Sequence, residues 1–357
     1  MKLYQRYLAK EVALSVLLVL VAFLALFSFF DLIGELRDIG KGGYKIQHAL
    51  AFITLRLPGR VYELMPIAVL IGALYALSTL ARHSEITVLR ASGMSTGRLL
   101  STLLQIAVVF GLITLIMGEL VAPPAERLAR QMRLSAFGKL VSQELRTGLW
   151  VKDGMTFINV RAVTPDAELR NIRIYEFDDK ARLASVSEAA EGYYVPPASW
   201  MLKNVVRTSL DNNRGSVSSE KEVLWQSALN PDILSVLLVK PESMSILHLT
   251  SYIKHLRANK QNSQRYEIAL WKKAVYPLAA LVMIALALPF GYTHNRVAGV
   301  SLKIFAGVMI GVLFHMLNGL FSSLGAINSW PAFASAAAPS LLFMLAAAGM
   351  LWWVERR

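Results

Sequence analysis

The sequence predicts a multi-pass α-helical membrane protein carrying one β-rich soluble insert, and three observations support this. Six long uncharged stretches are split three and three around a polar middle. That middle is patterned as short strands separated by turn residues. The composition, 55% hydrophobic and only 17% charged, lies far from that of a soluble domain.

The spans run between charges: Glu11 to Asp31, Glu63 to Arg82, Arg98 to Glu119, Lys273 to Arg296, and Lys303 to Glu355. One crossing needs about 20 apolar residues, so the last stretch holds two, with Asn328, Ser329 and Pro331 supplying the turn. Lys2, Arg6 and Lys10 precede a run too long for a signal-peptide core and without a clear A-x-A site, so it reads as a retained first span. The lack of cysteine excludes disulfides, thiolate metal sites and cysteine nucleophiles. An even number of spans puts both termini on one side, and Lys2, Arg6, Lys10, Arg356 and Arg357 assign it to the cytoplasm. The segment between spans one and two runs against this rule. It carries Arg37, Lys41, Lys45, Arg56 and Arg60 on the opposite side, an excess that calls for a functional reason.

Residues 124–269 form the insert, between spans grouped as 1–123 and 270–357. Strands are expected at Leu149–Lys152, Met155–Val163, Ile172–Phe177, Arg182–Ala189, Tyr193–Val195, Trp200–Leu210 and Ser216–Trp225. Turns are expected at Asp153-Gly154, Asp178-Asp179 and Asn212 to Gly215. Such spacing suggests a sandwich or jellyroll. A helix follows over Ser245–Asn259, with Leu247, Tyr252, Ile253 and Leu256 on one face.

Several motifs match catalytic patterns by letter only. Gly93-Met94-Ser95-Thr96-Gly97 spells a nucleophile elbow, but it lies between two spans, so Gly93 is expected to end one helix and Ser95 or Thr96 to cap the next. Ser251 to Lys254 spells S-x-x-K without its companion motifs. Gly40-Lys41 lacks the rest of a P-loop, so ATP is not bound here by that route. The six histidines, among them His294 and His315, never take metal-ligand spacing. His315 and Asn318 lie inside span five, and polar groups there face a bundle or cavity. Gly307 and Gly311 form a small-xxx-small stripe that permits close helix contact.

Two charged constellations remain. Arg127, Arg130 and Arg133 share a side of a helix continuing outward from span three, and with Arg37 and Lys41 they form a basic ring at the outer membrane boundary. Guanidinium groups bind phosphate through paired hydrogen bonds, which suits a phosphorylated amphiphile. On the inner side, residues 81–95 form a short amphipathic helix with Arg82, Glu85 and Arg90, a handle for a cytosolic partner.

Ser84 to Gly93, Ala122-Pro123 to Arg133, and Gly148-Leu149-Trp150-Val151-Lys152-Asp153-Gly154 resemble the LptF/LptG permease family of the bacterial lipopolysaccharide exporter, most of all its LptG type. The resemblance spans essentially the whole chain. It implies an inner-membrane protein of six transmembrane helices with an inserted periplasmic β-jellyroll domain, α+β overall. It implies an LptF-type permease as heterodimer partner, an LptB-type ATPase dimer that holds ATP and Mg, an LptC-type single-span protein and an LptA-type periplasmic bridge. No cofactor is implied in this chain, and no nucleic acid. By the family pattern the Glu85 loop is the coupling helix, and Arg37, Arg130 and Arg133 match positions associated with the lipopolysaccharide phosphates. The family's second basic residue after span one falls on Asp38 here, with Lys41 nearby.

The expected mechanism is extraction of lipopolysaccharide from the outer leaflet of the inner membrane into a cavity lined by helices one and five, including Gly307, Gly311, His315 and Asn318. Closure driven by the partner ATPase then lifts the lipid into the jellyroll, whose inward apolar residues shelter its acyl chains. Two rivals stand beside it: a mechanotransmitting subunit that moves no lipid, and an intramembrane lipid-modifying enzyme with Ser95 as nucleophile.

Overall fold

The computed structural model describes residues 3–137, 148–164, 168–178, 180, 182–196, 199–211, 214–227, 241–292 and 300–356. Lys2, Asp179, Asn212, Asn213, His294, Arg296 and Arg357, which figured in the expectations above, lie outside them.

Apolar sequence makes long helices here: α1 (Leu3–Leu36), α2 (Ile46–Arg82), the short α3 (Glu85–Ala91) and α4 (Thr96–Ile116). Helix α4 passes through a π-helical turn, Met117–Val121, into α5 (Ala122–Phe137). After the sheet come α6 (Ile246–Ala258), α7 (Gln264–Val275), a 3-10 turn at Tyr276–Leu278, α8 (Ala279–Tyr292), α9 (Val300–Ile327) and α10 (Ala332–Glu355). Together these give six helical runs long and apolar enough to cross a membrane.

Charge boundaries underestimate the helices. Helix α2 begins at Ile46, not near Glu63, so Arg56 and Arg60 are helical residues rather than loop residues. Backbone hydrogen bonding tolerates charged side chains wherever these find partners, which Arg56 and Arg60 do. The last turn forms as expected, with Ser329 at positive φ and Pro331 at the N-cap of α10.

Helix α2 is the packing hub, in contact with α1, α5, α8 and α9. Its Gly72 lets α1 approach so closely that a Cβ there would fall 2.5 Å from the Cα of Val16. On α1 the buried apolar residues, Leu8, Val12, Val16 and Leu20, stop at Leu20. Beyond it Val21, Leu26, Phe29 and Phe30 are exposed, and only half-buried Phe23, Leu24 and Phe27 touch the core.

Among the described residues the insert is a six-stranded antiparallel meander: β1 (Leu149–Asp153), β2 (Thr156–Val163), β3 (Leu169–Phe177), β4 (Leu183–Val195), β5 (Ser199–Asp211) and β6 (Arg214–Gln226), each paired with the next. The two expected strands over Arg182–Val195 are one strand. Val151 on β1 and Trp225 on β6 share a core, and Ser227 Oγ donates to Asp153 Oδ2 at 2.7 Å, so the sheet's first and last strands come together in a jellyroll-like wrap. Asn171 and Asn204 adopt positive φ, a region where asparagine is enriched. At these points the inward alternation slips, from Leu169 to Ile172 and from Leu202 to Val205. The interior is filled by Trp200, Ile158, Leu169 and Leu202, all almost fully buried.

On α6 the buried face is Leu249, Tyr252, Ile253 and Leu256. Leu247, expected on that face, is 76% exposed, because it sits two residues from Leu249 and so on the opposite side of the helix.

Candidate functional site

The expected basic residues gather where α1, the 37–45 loop, α2 and α5 meet, at the end of the bundle facing the sheet. The loop contains Gly40 and Gly42 at positive φ, and Gly43 N donates to Ala136 O at 2.9 Å, which lashes the loop to the end of α5. Tyr44, 1% exposed, stacks on Phe137 at 4.8 Å between centroids and donates its hydroxyl to Glu35 at 2.8 Å.

The ring is not bare. Arg133 donates to Asp38 at 2.7 Å, lies 3.6 Å from Glu35, and rests over the Phe52 and Phe137 rings. Lys41 donates to the other Asp38 oxygen at 2.6 Å. The Lys41 hydrogen bond, reinforced by the Arg133 guanidinium, holds the Asp38 carboxyl below the usual carboxylate range. Arg37 is exposed, and Arg130 is half-buried with an interaction of its own. Arg127 contacts the His248 ring at 3.0 Å, which ties α5 to the start of α6. Steps of three residues lag by about 60° each on an α-helix, so Arg127 and Arg133 diverge: the first leans toward α6, the second toward α1.

Below this rim a second set of pairs was invisible in the sequence. Arg60 grips Asp31 with its Nε and Nη2, the closest contact being 2.8 Å, and so pins the loosely packed half of α1 to α2. Arg56 lies 3.9 Å from Glu126. Lys273, 5% exposed, pairs with Glu119 at 3.2 Å and donates to the Met244 carbonyl, while Glu119 accepts from Ile246 N at 2.9 Å. Glu119 lies in the π turn, next to Gly118, where a Cβ would fall 2.4 Å from the Tyr62 ring. That turn thus joins α4, α7 and the chain leaving the sheet domain.

Of the α9 residues expected on a lipid cavity, Gly307 and Gly311 instead face α2, their missing side chains filled by Leu74 and Ile67. Asn318 is buried and donates to Phe314 O at 3.0 Å. His315 alone of the four is exposed, among Leu313, Met316 and Leu320. The small-residue stripe seats the helix, and its bulky residues form an apolar outer face like that of α1.

At the other end of the bundle, α3 sends Ile86 into the main core and leaves Arg90 exposed, while Arg82, expected on the same short helix, is the exposed last residue of α2. Glu85 is half-buried and lies near Tyr7 of α1. Gly93 has a φ of +88°, and Ser95 caps α4 by accepting from Arg98 N, so the elbow-like motif is a pair of helix caps. A separate cavity of about 370 Å³, lined by none of the rim residues, opens between β1 and α6 beside Trp150, Lys152, Tyr252, His255 and Tyr266. Burial there pushes the His255 imidazole below its ordinary value, against the pull of Asp153.

The family described as "Lipopolysaccharide export system permease LptF/LptG" matches residues 6–354. The chain is 31% identical over 353 residues to "Lipopolysaccharide export system permease protein LptG" of Haemophilus influenzae, covering 99% of this chain and 98% of that protein. It is 32% identical over 356 residues, with 99% and 98% coverage, to the protein of the same name from Escherichia coli K12.

Proposed function

The chain belongs to the LptF/LptG family of lipopolysaccharide export permeases, and from that premise we propose that it is the LptG-type subunit that draws lipopolysaccharide sideways out of the outer leaflet. In this reading the termini and α3 are cytoplasmic and the sheet domain is periplasmic. An LptF-type partner closes the chamber, an LptB-type ATPase dimer binds ATP and Mg and pushes on α3, and LptC- and LptA-type proteins continue the path.

One observation carries the reading: the exposed apolar faces of α1 and α9 flank α2, and a cationic rim lies at the sheet end of α1. Acyl chains would rest on the former and phosphates on the latter. Each methylene moved between lipid and water is worth about 0.8 kcal/mol, so lifting several chains out of the bilayer needs both coupled hydrolysis and a continuous apolar surface.

The test is photocrosslinking of radiolabelled lipopolysaccharide to the complex after replacing Arg130 and Arg133 by Gln. Loss of both crosslink and export is expected. Persistence of both would show that these arginines do not form the phosphate site.

A further inference from the structure

The rim holds its own anion. Asp38 places one carboxylate oxygen 2.6 Å from Lys41 Nζ and the other 2.7 Å from Arg133 Nη2, so a single carboxylate spans two of the rim cations. Both ends of the triad are partly exposed, with side-chain exposures of 59% for Lys41, 30% for Arg133 and 24% for Asp38. Arg133 has a further carboxylate, Glu35, at 3.6 Å, but Glu35 is buried and already accepts from Tyr44. The two carboxylates therefore differ in kind: Glu35 is built into the packing, whereas Asp38 is partly open to solvent.

We propose that Asp38 is an internal surrogate for the substrate's phosphate, neutralising Lys41 and Arg133 while the site is empty and being displaced when a phosphorylated lipid arrives. This rests on the phosphate-binding reading of the rim. Without a surrogate, two cations about one carboxylate apart would repel one another and hold any anionic headgroup of the surrounding leaflet. With it, a single weak anion does not dislodge the carboxylate, and a headgroup with phosphate monoesters does. Asp38 thus trades affinity for selectivity, since the binding-competent state is only part of the population.

The test uses the complex purified through a tag on this chain, in phosphatidylcholine nanodiscs, titrated with bis-phosphorylated lipid A. Asp38→Asn is expected to tighten apparent affinity about five-fold, Asp38→Glu to leave it within about two-fold, and Arg133→Gln to weaken it about ten-fold. A role confined to holding Arg133 in place would make Asp38→Asn weaken binding, and that result, or no change, overturns the proposal while Arg133→Gln still weakens it. If Arg133→Gln has no effect, the phosphate site itself fails instead. Repeating the titration with phosphatidylglycerol identifies the source. Selectivity requires that Asp38→Asn raise its binding by a larger factor than that of lipid A, and a larger gain for lipid A overturns the selectivity role.

Discussion

At the scale of single residues, the cations were legible and their counter-ions were not. Arg127, Arg130 and Arg133 follow from three-residue spacing, but nothing in the sequence says that Asp38 will meet Arg133 across 95 positions, or that Arg60 will reach back to Asp31. Such pairings depend on where α1 and α5 end, which local spacing does not encode. His255 offers a pH test of the sheet domain. Its folded-state affinity for protons is below that of the unfolded chain, so the folded state gains stability above the ordinary imidazole value near 6.5 and loses it as pH falls through the folded value. Acidification from pH 7 to 5 should lower the melting temperature of the native protein more than that of His255→Gln, as followed by intrinsic fluorescence.

Among elements, helix type follows from the hydropathy but helix length does not, because uncharged runs mark only the middle of α1 and α2, which carry charge well inside their ends. The α1–α2 contact depends on Gly72: Gly72→Ala must push Val16 backbone away and is expected to cost about 1–3 kcal/mol of stability, read as a lowered unfolding midpoint in detergent. Gly307→Ala meets side chains rather than backbone, chiefly the tip of Leu74, and should cost less. Breaking the buried pair with Glu119→Gln leaves Lys273 uncompensated at the base of the sheet domain. Destabilisation of roughly 3 kcal/mol is expected, and it should be relieved in the double variant with Lys273→Met. The caps at Gly93 and Ser95 are legible because positive φ and capping are local chemistry, whereas α3 spans only Glu85–Ala91 of the expected 81–95. Glu85→Lys is expected to abolish export while the protein still inserts; normal export would remove α3 from the coupling path.

For the whole molecule, three-plus-three hydropathy and an alternating middle were enough to give the architecture, and the LptF/LptG resemblance agrees with the family match over residues 6–354. What the pattern did not reveal is that the domain's inward face is occupied by its own side chains. Alternation reports which residues point inward and is silent on whether they leave room. Photocrosslinkers at Phe30 and Met316 should therefore capture lipopolysaccharide, whereas one at Leu202 should capture little unless the sheet opens.

The π-helical turn at Met117–Val121 has a consequence of its own. It houses one surplus residue between α4 and the three arginines of α5. Were it to tighten into ordinary α geometry with no residue lost, everything past it would swivel by about 100° as one piece. The compass bearing of the whole cationic segment is therefore set by a single loose coil lower down, beside Tyr62.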